Sequence, residues 1–295
     1  MLALCSVFQD PPSRMTRPVQ VSSRFFDRRA NAYEQHAAIQ TEVAERLLDR
    51  LAGLRFEPAR ILDVGCADAR QCQALHQRFP KARIIGIDRS RGMLARGKAR
   101  RRWWRRDFEL LRADGGLLPL AADSVDLVYA NLSLSWMSDM PAALHSWRRV
   151  LRPGGLALVS VFGPDTLAEQ RPALPVPGLV LPDVQRFGAL LVQAGFTEPV
   201  LDTDWITTVH PDRAALLNEL RGSALLPARS AGLSRHANAL KRYAAGPVEN
   251  DGCRATWEIV SASAWAPEPG QPIRGASGEE VSVPVSAIGI RRRDN

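Results

Sequence analysis

Arg60-Ile-Leu-Asp-Val-Gly-Cys-Ala-Asp-Ala-Arg70 is the stretch that decides the fold. Its first half is a short apolar run ending on an acid, the mark of a strand buried in a parallel sheet. Gly65 follows at once, where a chain leaving a strand has to turn sharply before a helix. A second run, Arg83-Ile-Ile-Gly-Ile87, ends on Asp88. Strand, turn, helix, strand and acid in this order form the layout that holds a nucleoside over the carboxyl ends of parallel strands. Asp88 is placed to accept hydrogen bonds from both ribose hydroxyls, which suits an adenosyl group without a 2′-phosphate. Taken alone, the same stretch also reads as an ordinary strand-to-helix turn.

On its amino side, the pattern from Phe25 to Leu54 is helical. Val43, Leu47 and Leu51 recur every four residues, and Gly53 is placed to end the run. Tyr33, His36 and Gln40 share one face at i, i+3 and i+7. That face is either the solvated side of a lid helix or the part that closes over the inner end of a bound nucleoside. On the carboxyl side, Gly92 to Ala99 reads as a short helix and Phe108 to Arg112 as a third strand. Asp114 and Gly115 follow it, either as an acid and an N–H that read an adenine edge or as a plain acidic turn. Val125 to Ala130 is a fourth strand, which puts Asn131 at the end that faces the crevice.

Further along, a helix is expected over Asp139–Leu151, with Asp139 as its N-cap and Pro141 in its first turn. Leu156–Phe162 is a fifth strand. After a proline-rich linker at 172–182 come a helix from Asp183 to Gly195, a strand near Pro199–Trp205, and helices near Asp212–Arg221 and Leu233–Ala245. Arg254–Trp265 is a long last strand. The class is α/β: a doubly wound, mostly parallel, seven-stranded sheet with an amino-terminal lid helix, spanning residues 23–266. Residues 1–22 are expected to form a loose arm, and 267–295, rich in Pro, Gly and Ser, a poorly ordered tail.

The composition fits one large soluble domain: 295 residues, 45% apolar and 24% charged. There is no apolar run of about 18 residues, so no membrane span is expected. Met1–Phe8 is too short for a secretory core, and the expected location is the cytoplasm. The four cysteines lack paired spacing, which points to free thiols in a reducing compartment and to no metal site. The formal net charge is +8, and seven arginines and lysines gather between Arg96 and Arg106 around Trp103 and Trp104. This basic insertion, 96–107, has three readings. It is a solvated charge run, a dock for an acidic protein through Arg101, Arg102 and Arg105, or a surface on which bases stack.

Several longer matches carry a family likeness. They are Tyr33-Glu-Gln-His-Ala-Ala-Ile-Gln40, Leu117-Leu-Pro-Leu120, Asn131-Leu-Ser-Leu-Ser-Trp136, Arg149-Val-Leu-Arg-Pro-Gly-Gly155, Phe162-Gly-Pro-Asp-Thr-Leu167 and Ala255-Thr-Trp-Glu-Ile-Val260. Over most of its length the chain resembles the malonyl-acyl carrier protein O-methyltransferases of biotin synthesis, which are class I enzymes with a Rossmann-like sheet. The resemblance implies S-adenosyl-L-methionine as cofactor and a malonyl-bearing acyl carrier protein as partner, with no nucleic acid and with a monomer as the working unit. It implies that Asp63 and Gly65 hold the methionine end, Asp88 the ribose, and Asp114 and Gly115 the adenine. Tyr33 and Gln40 would close the pocket and Asn131 line its floor, as the candidate catalytic residues. A carboxyl acceptor is already ionised at neutral pH, so no general base is expected.

The chain also departs from that family. Ala67 and Ala69 stand at two loop positions where glycine is usual, Gly116 where an acid is usual, and Ser135 where glutamine is common. An alanine held at positive φ costs on the order of 1 kcal/mol. Two other readings therefore stay open: a repurposed methyltransferase fold acting as an assembly partner, and an RNA methyltransferase using the basic, tryptophan-bearing insertion.

Overall fold

A computed structural model of the chain describes residues 23–101, 107–172, 179–226, 240–244, 252–275 and 278–281. The expected arm at 1–22, Arg102, Arg105, both tryptophans of the insertion and most of the helix expected at Leu233–Ala245 lie outside the described residues.

Seven strands form one sheet: β1 (Arg60–Val64), β2 (Arg83–Asp88), β3 (Glu109–Arg112), β4 (Val125–Asn131), β5 (Leu151–Phe162), β6 (Thr197–His210) and β7 (Cys253–Trp265). Their spatial order is β3-β2-β1-β4-β5-β7-β6. The first five run parallel, and β7 is antiparallel to both of its neighbours. The order reverses between β1 and β4, and the crevice at such a switch point is where an open α/β sheet takes its ligand.

The helices are α1 (Ser23–Asp27), α2 (Tyr33–His36), α3 (Ala38–Asp49), α4 (Arg70–Arg78), α5 (Arg91–Arg100), α6 (Met140–Val150), α7 (Val184–Gln193) and α8 (Arg213–Gly222). They cover both faces because strand side chains alternate. Leu62 and Val64 of β1 pack with Trp147 of α6 and Phe187 of α7. Ile61, just before them on β1, packs with Leu47 of α3 and Leu75 of α4. Asp139, read as a cap, does that work, and Asp183 and Asp212 do the same for their helices: the three accept from the backbone N–H groups of Ala142, Arg186 and Ala215. Each such cap is worth about 1 kcal/mol.

Four expectations change. The single helix expected from Phe25 to Leu54 is three pieces, with Ala37 (φ −96, ψ 38) breaking α2 from α3. At this break the His36 ring packs so closely on Gly222 of α8 that a Cβ there would lie 2.2 Å from its carbons. The basic insertion does not begin at residue 96, because α5 runs on to Arg100. β6 is 14 residues long and outlasts the strand expected near Pro199–Trp205. Within the expected loose tail, β8 (Pro272–Gly275) and β9 (Gly278–Val281) pair as an antiparallel hairpin. Among the described residues no helix is long and apolar enough to cross a membrane, and no group of His, Cys, Asp and Glu is placed to hold a metal ion.

One buried contact ties the core to the crevice. Trp147 of α6 is fully buried, and its indole Nε1 donates to the carbonyl of Gly115, just past β3, at 2.7 Å. Trp147→Phe leaves that carbonyl unpaired and shrinks a fully buried side chain, so a loss of at least about 1–3 kcal/mol is expected. Urea unfolding measures it, and an unchanged midpoint contradicts the assignment.

Candidate active site

The site is built from the bend that follows β1. Three successive amides there donate to the end of β2: Gly65 and Cys66 to the Ile87 carbonyl at 2.7 and 3.0 Å, and Ala67 to Asp88 Oδ2 at 3.0 Å. The backbone needed for this is left-handed at Gly65 (φ 76), Ala67 (φ 46) and Ala69 (φ 61). Both alanines thus sit in the conformation that glycine tolerates best. Gly65 has a second constraint, since a Cβ on it would lie 2.3 Å from Cβ of Ser133. Ser133 Oγ in turn donates to the Val64 carbonyl at 2.6 Å, which fastens the loop after β4 to the end of β1.

Above these strand ends lies a cavity of about 290 Å³. It brings together Tyr33, Gln40, Gly65, Asp88, Asp114, Gly115 and Asn131, residues expected from the sequence to share a site. Asp63 lines a smaller space of about 50 Å³, which shares Tyr33, Gln40 and Asn131 with the larger one and adds Arg70. His36, on the face read as shared with Tyr33 and Gln40, is turned onto Gly222 by the break at Ala37.

Burial governs the charges. It pushes the pKa of Asp63 up to about 7, with Cys72 pulling it back by donating from Sγ at 3.2 Å and with Asp88 and Asp68 adding repulsion. Among the described residues, the groups acting on Asp63 are Cys72, Asp88 and Asp68, none of them a cation. Burial likewise raises Asp88 to about 6, against the N–H groups of Ser90 and Ala67 that favour its charged form. Tyr33 is only partly buried as a residue, yet its hydroxyl is desolvated beside Asp68 and Asp88. That holds it above its ordinary pKa and keeps it a proton donor. Gln40 Oε1 is buried with no hydrogen-bond partner.

Asn131 has a different task from the one its position implies. Its Nδ2 donates to the Gln40 carbonyl at 2.8 Å, and its Oδ1 accepts from Ser160 Oγ at 2.9 Å. It lines the cavity while pinning α3 to β4 and β5. Asp114 Oδ1 accepts from the Gly116 N–H at 2.9 Å, a bond an ordinary acidic turn also makes.

Sequence reasoning missed the charges that hold the lid. Glu34 of α2 meets Arg70 at 3.2 Å, Arg100 at 2.9 Å and Arg96 at 3.8 Å. Arg100 also pairs with Asp68 of the bend at 2.5 Å. The hydrogen bond from Arg100 is the main force lowering the pKa of Glu34. These partners are far apart in the chain, so no local spacing announces them. Arg101 donates to the Phe108 carbonyl at 3.3 Å, at the amino end of β3 and away from the cavity.

Comparison with known proteins gives the same architecture. A family described as "Methyltransferase domain" matches residues 62–159. The malonyl-[acyl-carrier protein] O-methyltransferase of Xylella fastidiosa is 37% identical over 284 residues, covering 92% of this chain and 96% of its own. That of Gallionella capsiferriformans is 36% identical, covering 83% of this chain and 89% of its own. Among solved structures, phosphoethanolamine N-methyltransferase 2 of Haemonchus contortus in complex with S-adenosyl-L-methionine superposes with a TM-score of 0.52 at 18% identity. It covers 84% of this chain and 60% of its own.

Two variants test this local chemistry. Ala67→Gly relieves a left-handed alanine that is only half-buried, and is expected to stabilise the fold by about 0.5–1 kcal/mol. Ala69→Gly relieves similar strain but removes a fully buried methyl, worth about 0.8 kcal/mol, so a near-neutral result is expected. Equal shifts in thermal midpoint would contradict this account. Asp63 has a raised pKa in the fold, so its contribution to stability is complete near pH 4 and is lost as pH rises through about 7. Asp63→Asn should therefore show a smaller fall in midpoint between pH 5 and 8 than the parent. An identical fall would rule out Asp63 as its source.

Proposed function

Because the chain belongs to the family of malonyl-acyl carrier protein O-methyltransferases, we propose how its cavity carries out that family's reaction. The protein is an S-adenosyl-L-methionine-dependent methyltransferase, and it converts the free carboxyl of malonyl-acyl carrier protein to its methyl ester in biotin synthesis. The observation that carries the reading is the cavity itself, which joins a polar inner end to an outer end lined by Phe26, Leu117, Trp136 and Met137.

The residues fit the cofactor. Asp88 at the end of β2 accepts from the ribose hydroxyls. Asp114 and the Gly115 N–H meet the adenine edge. Asp63, a buried carboxyl with no cation among the described groups acting on it, accepts from the ammonium of the methionine end, beside Gly65. Arg70, which lines the same small space, takes the carboxylate of that end. Tyr33 and Gln40 close the inner side, the unpaired Gln40 Oε1 facing a donor on the ligand. Asn131 acts as a positioning residue that keeps Gln40 in place.

When bound, the cofactor would supply a methyl group on a sulfonium for transfer to the malonyl carboxylate. The chain's own contribution is alignment and exclusion of water, a source of roughly 7–11 kcal/mol in well-oriented pairs. The aromatic edge pair Phe26–Trp136, with ring centroids 5.2 Å apart, closes α1 over the outer end. The described cysteines, Cys66, Cys72 and Cys253, are free thiols, as suits the cytoplasm.

The test is transfer of labelled methyl from S-adenosyl-L-methionine to malonyl-carrier protein, released as a base-labile ester, with RNA as a control. Label on RNA instead, or none from a protein that binds the cofactor, would sink the proposal. Asp88→Ala removes charge-assisted bonds worth about 1.5–3 kcal/mol. The dissociation constant for the cofactor should then rise by roughly 10- to 100-fold.

A further inference from the structure

We propose that the carrier protein docks on a rim of arginines around the cavity mouth, formed by α1, the start of α5 and the end of β3. The inference rests on the function given above. Arg24 and Arg28 on and just after α1, Arg89 and Arg91 at the start of α5, and Arg112 at the end of β3 are all exposed. Asp27 ties together two of the elements that carry them: its Oδ1 accepts from Ser90 Oγ and from the Gly92 N–H, both at 2.7 Å, which joins α1 to α5. Against the burial that raises it, those two bonds hold the Asp27 carboxyl below its ordinary pKa, with the Arg112 charge adding to them. Arg112 Nε donates to the Arg89 carbonyl at 3.1 Å. Arg89 lines the cavity, as do Ser23 and Phe26 of α1.

Five guanidinium groups thus stand along the rim, where Arg89 Nε lies 3.8 Å from Asp114 and Asp27 is already engaged by α5. An acidic partner whose acyl group hangs on a phosphate-ended arm complements it. Guanidinium forks grip the phosphate and the partner's carboxylates at the surface, while the apolar outer cavity takes the arm. At the opposite end of α5 the described arginines have partners within the chain, and Arg102 and Arg105 lie outside the described residues. Arg96 and Arg100 are engaged by Glu34, and Arg101 by a carbonyl at the amino end of β3.

The experiment is charge reversal of three rim residues that do not line the cavity, Arg24→Glu, Arg28→Glu and Arg91→Glu together. It is assayed with malonyl-carrier protein and, separately, with malonyl-pantetheine. Electrostatic steering changes association by about 10-fold or more. The variant is therefore expected to raise KM for the carrier protein at least tenfold while leaving kcat/KM for malonyl-pantetheine unchanged. That second value also shows that the variant is folded. Rising salt should weaken wild-type use of the carrier protein and spare the small thioester. An unchanged carrier-protein KM, or an equal loss with both substrates, overturns the docking surface. So does a rise in that KM produced by Arg101→Glu and not by the rim variant. A wild-type protein that methylates neither malonyl thioester instead overturns the reaction, and the docking proposal with it.

Discussion

Three neighbouring amides, those of Gly65, Cys66 and Ala67, reach across from the bend after β1 to the end of β2. The rest of the site depends on that anchorage. It holds two alanines in a left-handed backbone that they would otherwise leave. It brings Asp88 to the bend as an acceptor, and it lets the loop after β4 press Ser133 against Gly65, where only a hydrogen fits. A parallel sheet whose order reverses between β1 and β4 supplies the crevice. The bend supplies its shape.

Around this bend the protein concentrates acids and then balances them. Asp63 and Asp68 are buried, and Asp88 sits at the desolvated mouth of the same turn. Arg100 of α5 answers Asp68 from outside the bend. Glu34 on the lid pairs with that same arginine and with Arg70 of α4, so lid and bend share a cation. The amide of Asn131 adds an uncharged fastening at the start of α3. His36 on Gly222 adds a steric one.

Much of this was legible in the sequence, for physical reasons. Asp63, Gly65 and Asp88 stand out because a buried strand is a short apolar run with a sharp end. The left-handed alanines could be read because the turn geometry is fixed by the strands on either side, whatever residues occupy it. Asp139, Asp183 and Asp212 announced their helices by local chemistry alone. What stayed hidden is non-local. At the break at Ala37 the contact is with a glycine on α8, and no residue near Ala37 signals it. The arginines at 96 and 100 looked like a free charge run because their partner, Glu34, precedes them by more than one element. Asn131 was placed at the right strand end, but its bond to the Gln40 carbonyl belongs to the packing of a helix on the sheet. The hairpin of β8 and β9 was masked by a composition that usually marks disorder.

Asp63 carries one more consequence. A carboxyl with a pKa of about 7 is shared between its two protonation states near neutrality. A ligand that places a positive group beside it selects the ionised state, so uptake must expel a fraction of a proton into the medium. The heat of that uptake will then include the ionisation heat of whichever buffer receives the proton. Calorimetric enthalpies will differ between phosphate and Tris although the complex formed is the same.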